Sequence, residues 1–201
     1  MLDLAKKQVK FDPTCDRLFS VGDLVDRGAE SSRLSEFLLC PYAFAVCGNH
    51  DIDFCRFPID QIRAQAASNW NGMGWAKDLS DAQIINIQDT LEQLPLVIEI
   101  ETDFGIIGIV HAEVPIGMHW PQFLEKIESR NMQALTFATT RRTRLKQVNT
   151  DCIDGVYRIF SGHTVQWDGA IMLGNTFFID TGAVFAESAL DAGLRCVEVD
   201  G

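Results

Sequence analysis

The sequence is poor in the features that mark a secreted, membrane-spanning or nucleic-acid-binding chain. No apolar run approaches the ~20 residues needed to cross a bilayer, and the chain does not open with a basic segment followed by an apolar one. Its six cysteines, Cys15, Cys40, Cys47, Cys55, Cys152 and Cys196, form no CxxC pair and no zinc-knuckle spacing. Several fall in apolar stretches and read as buried thiols of a reducing compartment, so a cytoplasmic location is expected. Positive charge is scarce: 17 Lys and Arg stand against 28 Asp and Glu, a net charge of −11. That excess repels nucleic-acid backbones and anionic lipid, so neither is an expected partner. Repeats, low-complexity tracts and linkers are absent, and a single domain over residues 1–201 is expected.

The residues that are present alternate between strand-like and helix-like texture. Leu2, Leu4, Ala5 and Val9 among lysines predict a short amphipathic helix. "RLFSV" reads as a strand, "SSRLSEFLL" as a helix with serine at its start, and "YAFAVCGNHD" as a strand followed by a glycine and polar residues. Residues 52–92 read as mainly helical, interrupted by "NWNGMGW". "PLVIEIET" and "FGIIGIVHA" predict a hairpin, residues 121–148 a return to helix or loop, and "YRIFSGHT", "AIMLGNTFFIDTGAVF" and "LRCVEV" a closing set of strands. The fold class is therefore α/β (α+β).

Four apolar strands end in a small residue and then a polar side chain suited to metal or proton: "SVGDLVDRG", "AVCGNHD", "GIIGIVHA" and "RIFSGHT". In a layered α/β fold, strand ends converge on one rim, so Asp23, Asn49, His111 and His163 can meet. Oxygen and imidazole together suit a first-row divalent ion. Taken singly, each segment has an ordinary reading: "GD" as a turn, "GNHD" as a helix cap, His111 and His163 as core histidines. Three of the four histidines share the same setting, however, and their coincidence with the carboxylate and amide favours a common site. His119, in "GMHWP", reads as a loop residue. Arg141, Arg142, Arg144 and Lys146 form a basic cluster that is either a solvated face or the source of a phosphate ligand.

In this order "GDLVDRG", "GNHD", "HAEVP" and "GHT" resemble the second to fifth signature blocks of the PPP-type phosphoprotein phosphatases, particularly the small bacterial and phage branch of the calcineurin-like metallophosphoesterases. "NGMGW", "LPLVIEI" and "FIDTGAVF" extend the similarity over nearly the whole chain. The resemblance implies a metallophosphoesterase β-sandwich of two mixed sheets flanked by helices, and hydrolysis of phosphate monoesters by metal-bound hydroxide. Asp23 would bridge two ions, with Asn49, His111 and His163 completing the second. His50 would be the general acid, Asp26 its orienting partner, and Arg27 a phosphate ligand. A second phosphate arginine aligns with Arg142, with Arg141 and Arg144 as competitors.

The family's first block, Gly-Asp-x-His-Gly, does not occur in the sequence. The expected consequences are a missing N-terminal strand, a first metal site weak or empty beside a complete second one, and a sheet edge open to dimerisation. The leading expectation is a Mn2+-dependent phosphatase, with iron or zinc as other candidates, acting on phosphoserine, phosphothreonine and phosphotyrosine in proteins. Alternatives are a dinucleoside polyphosphate hydrolase and a catalytically silent metal-binding protein.

Overall fold

Strands β1 (Leu18–Ser20) and β2 (Ala43–Ala45) pair in parallel, Phe19 opposite Phe44, whose rings stack across the pair at 5.2 Å. This computed structural model describes residues 9–28, 30–185 and 196–197. The helix expected over residues 1–9 and the strand expected over 194–199 therefore fall almost wholly outside the described residues.

A five-stranded sheet forms the second layer, in the order β3 (Val97–Thr102), β4 (Gly105–Val110), β5 (Arg158–Ser161), β7 (Thr176–Phe178), β6 (Ile171–Leu173). It is mixed: β3–β4 and β6–β7 are antiparallel hairpins, while β4–β5 and β5–β7 run parallel. The architecture is thus mixed α/β, with two sheets flanked by helices, as expected.

Between the sheets in sequence lies a helical unit whose apolar periodicity sets its packing. In α4 (Asp81–Glu92), Ile84, Ile87 and Leu91 fall on one face and are buried. Ser80 caps that helix by accepting from Gln83 N, and Gln83 reaches back in return. Those side chains pack with Leu34 of α1 (Leu34–Leu38), Phe54 of α2 (Asn49–Arg56) and Ile62 and Ala66 of α3 (Ile59–Ala67). Each large side chain so buried stabilises the fold by ~1.5–3 kcal/mol. A second core joins the large sheet to α5 (Trp120–Glu128) and α6 (Met132–Thr140) through Val110, Ile159, Phe123 and Ala138. Trp120 lies against Gly108, leaving no room there for a Cβ, and its indole N–H reaches Glu99 at 2.7 Å.

The cysteines depart from expectation. None of the six is in a disulfide, but only Cys47 is buried, while Cys15 and Cys152 are exposed. Cys15 lies in the "DPTCD" turn, closed by hydrogen bonds to Asp12, and Cys152 in the irregular stretch before β5.

Candidate active site

Asp23, Asn49, His111 and His163 follow the C-terminal ends of β1, β2, β4 and β5, the four strands that bring the two sheets together at one rim. The structure gathers all four. His111 Nε2 is 3.2 Å from His163 Nδ1, 3.3 Å from Asn49 Oδ1 and 3.4 Å from Asp23 Oδ2. One ligand atom each from Asp23, His111 and His163 fits within a 4.8 Å span.

The outer ring nitrogens fix the chemistry of this cluster. His111 Nδ1 lies 2.7 Å from Val21 O and His163 Nε2 3.1 Å from Thr140 O. A carbonyl only accepts, so each outer nitrogen carries the ring hydrogen and each inner nitrogen turns a lone pair to the centre. Two imidazole lone pairs, a carboxylate and an amide oxygen then face one point, which requires a proton or a cation. The titration follows the same logic. Burial works against the charge of Asp23, but His111 and His50 hold its carboxyl down at about 2. Burial also disfavours a charged His111, yet Asp23 outweighs it and raises that ring above its ordinary value. Burial, His111 and Arg142 push His163 down to about 4, so it presents a neutral ring.

Backbone strain marks the same place. Asp23, Asp26, Arg27 and His163 all have φ between 54° and 72°, a region that costs a non-glycine residue of order 1 kcal/mol or more. Asp51 over-determines the first of these turns. Its fully buried carboxylate accepts from the N–H groups of Asp23, Leu24, Val25 and Gly48 at 2.8–3.3 Å. Burial and the charge of Asp23 push its carboxyl up to about 6, opposed by the N–H groups of Gly48 and Leu24 and by His111. The cap reading of "GNHD" is realised in Asp51, the third residue of α2, while Asn49 faces the cluster.

His50 sits in the first turn of α2, its backbone N–H donating to Asp23 Oδ1 at 3.0 Å. Its ring Nδ1 is 2.7 Å from Asp26 Oδ2, and the other Asp26 oxygen accepts the indole N–H of Trp75 at 2.8 Å. Arg27 is exposed and donates to Asn71 Oδ1 at 2.7 Å. The basic cluster divides. Arg144 is buried, with one guanidinium nitrogen bound to Asn149 and to Asp151 O, which makes it a structural residue. Arg141 and Arg142 are exposed, and Arg142 is close enough to His163 to depress it. His119 pairs at the surface with Asp154, 3.3 Å away.

Sequence reasoning did not single out Asp51, Glu113, Asn71 or Trp75. Asp51 stands three residues after Gly48, the spacing of a capping acid, and was detectable on that ground. Glu113 is buried and accepts from the N–H groups of Thr143 and Arg144, at the start of α7 (Thr143–Gln147), at 2.5 and 2.8 Å. No local signal announces a contact across thirty residues.

Comparison with known proteins places the chain in a family. A model of the family described as calcineurin-like phosphoesterase matches residues 2–167. The chain is 30% identical over 181 residues to serine/threonine-protein phosphatase 2 of Escherichia coli, covering 88% of this chain and 78% of that one. To the protein of the same name from Salmonella typhimurium it is 28% identical over 183 residues, with the same coverage. It is also 28% identical over 146 residues to a symmetrical bis(5'-nucleosyl)-tetraphosphatase of Actinobacillus succinogenes, covering 71% of this chain and 49% of that one. A crystal structure provisionally described as a diadenosine tetraphosphatase superposes with a TM-score of 0.58 at 19% identity, over 92% of this chain and 78% of its own. That likeness is one of fold.

Proposed function

The chain belongs to the calcineurin-like phosphoesterases, and from that premise we propose that it hydrolyses phosphate monoesters on protein serine and threonine side chains, and on tyrosine. The observation that carries the reading is the buried His50–Asp26 pair standing beside the Asp23–His111–His163 cluster. A proton donor next to a cation site is what cleavage of an alkyl phosphate needs, because a serine alkoxide is a poor leaving group. The phosphatase reading is further supported by the relatives named serine/threonine phosphatases, which align over more of this chain and of themselves than the tetraphosphatase does.

The donor set fits a divalent ion, held by Asp23, Asn49, His111 and His163, and the mixture of hard oxygen with imidazole suits Mn2+, with iron or zinc as close competitors. Such an ion supplies Lewis acidity to a phosphoryl oxygen and makes a nearby water a better nucleophile. The chain's own residues do the rest. His50 Nε2 gives its proton to the departing oxygen, while Asp26 keeps Nδ1 protonated and fixes the ring plane. Arg27 and Arg142 receive phosphate oxygens, for which a planar guanidinium fork is well shaped.

A second reading, dinucleoside polyphosphate hydrolysis, is favoured by the tetraphosphatase relative. Turnover of a phosphoserine peptide and of diadenosine tetraphosphate, measured side by side with Mn2+, separates the two. The proposal expects faster peptide turnover and a loss of about 10²–10⁴ in rate for His50→Asn. Preference for the dinucleotide would replace it with the second reading, and inactivity on both would leave a silent metal-binding protein.

A further inference from the structure

The segment 69–76, "NWNGMGWA", touches each of the three side chains placed around the departing group. Trp75 holds Asp26, the carbonyl of Gly72 accepts the backbone N–H of Arg27 at 2.8 Å, and Asn71 lies between Arg27 and His50. The two ends of the Asn71 amide can be told apart. A guanidinium only donates, so the end 2.7 Å from Arg27 Nη2 is the oxygen. The NH2 end therefore faces His50 Nε2, 3.4 Å away. With Asp26 holding the Nδ1 hydrogen, Nε2 of the neutral ring offers a lone pair and the contact is complementary; once Nε2 carries the proton it delivers, the contact to the amide is lost and that hydrogen faces a substrate oxygen instead.

The loop backbone is shaped to bring Asn71 to this place. Asn71 and Gly72 are both left-handed, at φ 52° and 87°. Asparagine tolerates that conformation better than most side chains, and at Gly72 a Cβ would run into Arg27 Cγ and lie 2.6 Å from Arg27 N. The loop is thus pressed directly onto Arg27, with Asn71 aimed past it at His50.

We propose that Asn71 is a positioning residue that ties the guanidinium of Arg27 to the Nε2 edge of His50, so that a phosphate received by Arg27 presents its leaving oxygen to that nitrogen. The inference rests on the phosphomonoester reading above. The two contacts differ in strength in the sense this requires. The 2.7 Å bond to Arg27 is charge-assisted and persists, whereas the 3.4 Å contact to His50 is at the limit of hydrogen bonding and gives way to a substrate oxygen.

The test uses Asn71→Gly, which removes the amide but keeps the left-handed backbone, with Asn71→Ala as a second variant. The affinity of the manganese-loaded protein for inorganic phosphate is measured by calorimetry in wild type, Asn71→Gly, Arg27→Ala and the double variant. Turnover of phenyl phosphate and 4-nitrophenyl phosphate is measured alongside. The expected result is about three- to ten-fold weaker phosphate binding in Asn71→Gly, the scale of one hydrogen bond, with no further loss when Arg27 is already alanine. Phenyl phosphate, the poorer leaving group, should lose more rate than 4-nitrophenyl phosphate. Unchanged phosphate affinity, or additive losses in the double variant, overturns the inference while leaving the phosphatase reading intact. Absence of turnover in wild type fells the phosphatase reading, and the binding cycle still decides the tie between Asn71 and Arg27.

Discussion

His50 Nδ1 stands 2.7 Å from Asp26 Oδ2, with both side chains almost sealed from solvent. The other Asp26 oxygen is fixed by the Trp75 indole, which can only donate. In Asp26→Asn the indole therefore selects the amide oxygen, and the NH2 group is left facing His50 Nδ1. A doubly protonated His50 then meets a donor where it needs an acceptor, and its role as an acid is lost. Asp26→Asn should lower kcat by about 10²–10⁴, most for poor leaving groups, with metal content by elemental analysis unchanged.

Gly48 is closed in by Asp23. A Cβ there would overlap Asp23 Oδ1 and lie 2.5 Å from Asp23 N, with no flexible chain to give way. Gly48→Ala should therefore displace Asp23 and abolish tight binding of Mn2+ in a titration. Gly28→Ala is the control, since its Cβ would meet nothing nearer than Ser31 Oγ at 3.6 Å, and metal binding should survive it.

Glu113 links the strand that delivers His111 to the segment that delivers Arg142. Its carboxylate takes both N–H bonds from Thr143 and Arg144, while the N-cap Arg142 offers no side-chain cap of its own. Glu113→Ala leaves two donors without a partner, at a cost of ~1–3 kcal/mol. Thermal unfolding should show a drop of several degrees, and phosphate affinity should fall because Arg142 loses its anchor. Glu113→Gln keeps one acceptor oxygen and should lose less on both counts.

The strand ends and their polar residues were legible in the sequence because each is a local pattern: an apolar run followed by a ligand, with a glycine between them at Asp23, Asn49 and His163. Their convergence could be inferred only from the rule that strand ends share a rim. The hairpin of β3 and β4 was legible for the same reason, since period and turn chemistry are local. The supporting residues were not. Asn71 and Trp75 reach Arg27, His50 and Asp26 across 21 to 49 positions, and a dipeptide such as Asn71-Gly72 announces a left-handed turn without saying what it touches. The cysteines mark the opposite error, where proximity to apolar residues suggested a burial that Cys15 and Cys152 do not have.

Cys55 is a thiol whose reactivity the fold suppresses. Burial, with Asp51 and Glu92 nearby, pushes it up to about 11, and its Sγ is turned to the Gln88 carbonyl at 3.5 Å. At pH 8 the thiolate that reacts is therefore scarce. Iodoacetamide on the folded protein should modify exposed Cys152 and spare Cys55, and the labelling of Cys55 should rise with pH toward 11. Peptide mapping of the alkylated protein checks both statements, and rapid labelling of Cys55 at pH 8 would contradict them.

The last prediction concerns the cation itself and needs no turnover. In the cluster the outer nitrogens of His111 and His163 are committed to the carbonyls of Val21 and Thr140, so neither ring can turn its inner lone pair away without losing a hydrogen bond. The folded state therefore holds the donor set ready, and an unfolded chain does not. An ion that binds only the folded form stabilises it by ~2.7 kcal/mol at a hundredfold excess over its Kd. Mn2+ should thus raise Tm by several degrees in wild type, and a chelator should reverse the rise. His163→Ala removes one inner nitrogen and the bond to Thr140 O at the surface side of the cluster, where His163 is only partly buried. Its metal-free Tm should stay near that of wild type while the rise with Mn2+ disappears. A rise of equal size in the variant would mean that the ion binds elsewhere, and the cluster would then be a hydrogen-bonded group that shares a proton.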